Sequence, residues 1–153
     1  MALKALSEAG SLVEHDTDSQ LIVFLQHNTI RFLSESGSTR MALRLYENIR
    51  RSYGKASAPL IRSKGLWLEG QLLSAAGETD AALQPLTLAR EELLAHESSF
   101  EAALVSLDLA SALGKLGRRQ EMRRLAAATF HEMVARRVRR EAFAALILLR
   151  NSA

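Results

Sequence analysis

The sequence predicts an all-α fold, an α-α superhelix of three helical hairpins followed by one further apolar helix. Three observations carry this. The apolar 48% of the 153 residues comes chiefly from Leu and Ala, with few β-branched or aromatic side chains, which favours helix over strand. Gly37, Gly77 and Gly117 recur forty residues apart. Each ends an apolar-periodic segment and precedes a polar one, and a glycine after a helix takes the left-handed conformation that a Cβ penalises. Between the glycines, apolar residues return at i, i+3 and i+4, the spacing of one helix face.

Taken in order, a short N-terminal helix is expected at 2–9. His15-Asp16-Thr17-Asp18 then reads as a helix cap, with weak cation binding as the alternative. Helices follow at 18–36 and 39–53, on either side of Gly37. The next, at 58–76, is apolar on two faces: Ile61, Leu68, Leu72 and Ala76 on one, Leu66 and Leu73 on the other. Such a helix is buried between neighbours. Ser57 ahead of Pro59 marks its start, since proline suits the first helical turn.

Thr79-Asp80 reads as the cap of a helix at 80–95, in which Pro85 predicts a late start or a kink. Phe100, Ala103, Leu104, Leu107, Ala110 and Leu113 define a helix at 99–116. Met122, Leu125, Ala126, Thr129, Phe130 and Met133 define another at 119–136. The closing helix, 139–151, is apolar almost all round from Ala142 to Leu149, so an outer face is left for a second subunit or for further sequence. Phe143, Ile147 and Leu149 are the expected contacts of a homodimer. Connections of two to five residues make successive helices antiparallel neighbours. The whole chain, 1–153, reads as one repeat domain, with repeats at 18–54, 57–96 and 98–137.

With each glycine at the turn inside a hairpin, small residues fall at fixed offsets. In the middle repeat Gly70 lies seven residues before Gly77, and Ala82 and Ala89 lie five and twelve after it. The first repeat keeps Ala42, with Ile30 and Ile49 at the other two places. The third keeps Ala110, with Met122 and Thr129. Over roughly residues 20–136 this pattern resembles the tetratricopeptide (TPR) repeat family, although forty residues exceeds that family's usual period and implies longer helices. Further strings carry a closer resemblance: His27-Asn28, Trp67-Leu68-Glu69-Gly70, the run Ala102 to Ala110, Gly117-Arg118 through Arg123-Arg124-Leu125-Ala126, and Arg140-Glu141-Ala142. These are similar to the TPR tails of a group of uncharacterised bacterial proteins, some of which carry a regulatory head domain. The expectation is a tail fragment or a stand-alone repeat module of a bacterial regulatory or assembly system.

The resemblance implies that the first helix of each hairpin lines a concave groove that takes a protein or peptide. Lys64, Trp67 and Gln71 share one face of such a helix. His27 and Arg31 hold the same register one repeat earlier, and Leu107, Ser111 and Lys115 one repeat later. Asn28 and Asp108 sit one position further round, where they fix helix contacts or a ligand backbone. Trp67 is either the aromatic anchor of the groove or a residue packed between hairpins.

Charge is uneven within a net +3. From Lys115 to Arg140 there are nine Lys or Arg against two Glu, and the rest holds eleven basic and fifteen acidic residues. Arg118, Arg119, Arg123, Arg124, Arg136, Arg137, Arg139 and Arg140 form a basic patch. Arginine suits phosphate, so nucleic acid is an alternative partner, although no aromatics are interleaved to stack bases. A purely oligomerising tail is another alternative.

With no cysteine in the sequence, disulfide frameworks, thiolate zinc sites and cysteine nucleophiles are excluded. His15, His27, His96 and His131 lie in separate segments without HExxH or paired-ligand spacing. No GxSxG, P-loop or GxGxxG occurs. The chain is therefore expected to be no enzyme and to need no metal or cofactor. The N-terminus lacks the apolar run of a signal peptide, and Ala142–Leu149 is too short to cross a bilayer. A cytoplasmic protein is expected.

Overall fold

The structure, a computed structural model, describes residues 19–55, 59–137, 144–145 and 147–149. The expected helix at 2–9, the caps at His15–Asp18 and Ser57, and Arg139, Arg140 and Phe143 lie outside the described residues. Six helices of 17 residues each follow one another: α1 (Ser19–Glu35), α2 (Thr39–Lys55), α3 (Pro59–Ala75), α4 (Thr79–Ala95), α5 (Ser99–Lys115) and α6 (Arg119–Ala135). Each begins twenty residues after the last. Among the described residues there is no strand, and the fold is all-α.

The turns explain the regularity. Gly37, Gly77 and Gly117 have φ of 84°, 86° and 75°, the left-handed conformation expected of them. Around Gly37, the Ser38 N–H donates to the Leu33 carbonyl at 2.8 Å and the Gly37 N–H to the Ser34 carbonyl at 3.1 Å. This pair of bonds uses carbonyls that the helix end leaves orphaned. The same pair closes the turns at Gly77 and Gly117, and also the turn between hairpins at Glu97, whose φ is 58° without being glycine. Arg137, forty residues later, has φ 59°.

Two expectations at the start of α4 are corrected. Its N-cap is Glu78, with no side-chain capping bond, rather than Thr79 or Asp80. The Glu78 carbonyl already accepts the first helical bond, from the Ala82 N–H at 3.1 Å, so Thr79 is the first helical residue. Asp80 instead places a carboxylate in the first turn, where the helix dipole favours it. Nor does Pro85 delay the start, because the helix runs from Thr79 through it. Pro85 removes one donor, to the carbonyl of Ala81, and Ala81 is exposed to water.

Consecutive helices pack on one another. In addition α1 touches α3, and α3 touches α5, whereas α2, α4 and α6 do not touch each other. The first helices of the hairpins thus form the inner layer of a curved stack and the second helices the outer layer. All nine positions of the repeat pattern are buried: Ile30, Gly70 and Ala110; Ala42, Ala82 and Met122; Ile49, Ala89 and Thr129. A Cβ on Gly70 would run into the Leu86 side chain, so the α3–α4 approach requires glycine there. Leu72, Leu86 and Leu93 are fully buried, each contributing about 1.5–3 kcal/mol.

Polar bridges cross the seams between helices. Tyr46 donates to Glu69 at 2.9 Å, and Arg50 pairs with the same carboxylate at 2.9 Å, joining α2 to α3. Buried Ser63 donates to Glu92 at 2.8 Å, joining α3 to α4. Arg90 donates to buried Ser106 at 2.9 Å, joining α4 to α5. Beyond α6, residues 144–145 and 147–149 are helical. Ala145 is fully buried, and Leu148 and Leu149 pack against the core of the stack. Leu149 thus covers its own chain, while Ile147 is 38% exposed.

Candidate partner-binding groove

A cleft of about 330 Å³ runs across the inner layer. Arg31, Ser34 and Glu35 of α1, Gln71, Ser74 and Ala75 of α3, and Asp108, Ser111 and Lys115 of α5 line it. Arg31, Gln71 and Ser111 occupy one register position forty residues apart, as do Glu35, Ala75 and Lys115. The repeat itself therefore brings distant side chains to one surface.

Asp108 is the polar centre. Its Oδ2 accepts from Trp67 Nε1 at 2.6 Å and from Gln71 Nε2 at 2.8 Å. Bonds to a charged acceptor are short and about twice as strong as neutral ones. They tie α3 to α5 across the groove floor. Trp67 is half-buried, packs against the apolar core and is not among the residues lining the cleft; it meets the cleft only through its bond to Asp108. Arg31 and Glu35 pair along α1 at 3.1 Å.

His27 and Lys64 do not line the cleft. His27 Nδ1 lies 3.0 Å from the Tyr53 hydroxyl, with the rings edge to face. Burial first, then the charges of Arg31 and Lys64, push its pKa down to about 4. The ring is thus neutral at physiological pH and joins α1 to α2. Asn28, half-buried on α1, is not among the lining residues either. The lining residues that sequence reasoning missed, Ser34, Glu35 and Ser74, stand at or beside the forty-residue equivalents of Lys115, and that register was the available signal.

The basic patch lies elsewhere. Arg118, Arg119, Arg123, Arg124, Arg136 and Arg137 are all exposed, on or flanking α6 in the outer layer. Arg118 chelates Glu121 with two bonds of 2.7 Å, and Arg136 pairs with Glu132. Ile147 shares the register of Trp67 and Leu107. Among the described residues no three His, Asp or Glu side chains are grouped as a metal would need, and no helix is long and apolar enough to cross a membrane.

No family model, curated protein or solved structure matches the chain.

Proposed function

We propose that the chain is a TPR-like, non-catalytic scaffold that holds a protein or peptide segment along the inner layer formed by α1, α3 and α5. The supporting observation is the convergence of Arg31, Gln71, Asp108, Ser111 and Lys115, from three helices, on one cleft that Leu68, Leu72 and Leu86 also line. Such a surface offers donors and acceptors at intervals, beside the half-buried Trp67, as extended-peptide recognition requires. The resemblance to bacterial TPR tails favours a role in regulation or assembly. The test is capture of partners from the source cell on the wild type and on an Arg31→Ala/Gln71→Ala/Lys115→Ala variant. Loss of the captured protein with an unchanged melting temperature supports the groove. Equal capture by both removes it.

A second reading rests on Arg119, Arg123 and Arg124, exposed on α6. A polyanion held there would bind with strong salt dependence. In that case an Arg119→Ala/Arg123→Ala/Arg124→Ala variant would lose binding to RNA or DNA while the groove variant kept it. A third reading is association of two copies through the closing segment at Phe143, Ile147 and Leu149, of which Ile147 is exposed and Leu149 packs on its own chain.

A further inference from the structure

Each seam of the stack has one form: the second helix of a hairpin covers the first helix of the next. α2 covers α3 at Gly65, where the Cβ that glycine lacks would stand 2.7 Å from Tyr53 Cβ. In the next seam the corresponding places hold Leu93 of α4 and Val105 of α5, both buried in one core. Among the described helices α1 touches only α2 and α3. Its corresponding face carries Ile22 and Leu25. At the register position shared with exposed Arg62 and buried Ala102, α1 carries an apolar side chain, Ile22, that is 40% exposed.

The sequence ahead of α1 fits this face. Second helices are buried at Ala82, Leu86, Ala89 and Leu93, and at the positions forty residues before and after each of these. One more period back stand Ala2, Leu6, Ala9 and Val13, all apolar. The outward positions of the second helices, Gln84, Leu88 and Glu91 with their equivalents, are exposed in all three hairpins. They correspond to Lys4, Glu8 and Ser11, all polar. Asp16, Thr17 and Asp18 correspond in register to residues 96–98, which connect α4 to α5.

We propose that residues 1–15 of this chain pack on the Ile22–Leu25 face, taking on α1 the place that α2 takes on α3. The occupant is the chain's own segment ahead of α1, and not a second copy or another protein.

The chain has no cysteine, so a Val13→Cys/Leu25→Cys variant reports on this seam alone. These positions are two periods before Leu93 and Val105, which are buried together in one core, and a disulfide requires Cβ atoms about 3.5–4.5 Å apart. Under mild oxidation the expected result is a link within one molecule and a raised unfolding midpoint, with little link in the off-register Leu12→Cys/Leu25→Cys variant. No link, equal linking in both variants, or a link between two molecules overturns the proposal. Independently, Leu6→Asp should lower the melting temperature of the full chain and Lys4→Asp should not. Equal effects would overturn it as well.

Discussion

His27 joins α1 to α2 and does not line the cleft. Its imidazole protonates near 6.5 in the unfolded chain and only at about 4 in the folded one. As pH falls through that interval the unfolded state takes up a proton that the folded state refuses, so stability drops with pH. Full protonation of the unfolded form would cost at most about 3 kcal/mol, less where water reaches the ring. Denaturant midpoints at about pH 7 and about pH 5 should therefore separate further for wild type than for His27→Gln. Equal separations would place the pH dependence elsewhere. Glu97 permits a second test. A side chain in the left-handed region costs about 1–2 kcal/mol, of which glycine's extra unfolded freedom returns about 0.5–1. Glu97→Gly should thus stabilise by up to about 1.5 kcal/mol in thermal unfolding. A lowered melting temperature would show that the Glu97 side chain contributes a contact.

The helices themselves were legible because two signals agreed: the i, i+3, i+4 spacing and the glycine after each first helix. The turn after α4 was less so. Glu97 takes the same conformation as Gly77, yet nothing in a glutamate announces it. Thr79-Asp80 looked like a cap because those residues cap helices when a loop precedes them, and here the Glu78 carbonyl already accepts the first helical bond. Gly70 tests packing at this scale. Alanine is the better helix former by up to about 1 kcal/mol, but its Cβ would overlap Leu86 at the branch point of a fully buried side chain. Overpacking of this kind costs about 1–3 kcal/mol, so Gly70→Ala should destabilise. Leu86→Ala should remove the penalty in the double variant, where the couplings of a mutant cycle appear. Additive effects would mean that the two helices do not touch there.

Among the described helices, contacts reach only to the next helix, and on the inner layer to the next but one. A stack of this kind opens from its ends. Amide exchange should be slowest at Leu86, Leu93 and Val105, in the middle of the stack, and faster in α1. Uniform protection would indicate a single cooperative unit. The groove was half legible for the same reason. Register named Arg31, Gln71, Asp108 and Ser111, because forty-residue spacing projects equivalent positions onto one surface. It could not show that Asp108 receives both Trp67 and Gln71, since that depends on how far each hairpin rotates on the last.

The seam between α2 and α3 has a consequence for how such a chain can change in length. All six helices share a length and a spacing, so removing residues 59–98 would leave the count undisturbed and bring α2 against α5. The lock would not fit. Tyr53 has room because position 65 is a glycine, and its new neighbour would be Val105. Equal length makes the hairpins look interchangeable, but at this seam the edge of α2 is keyed by shape to the glycine of α3.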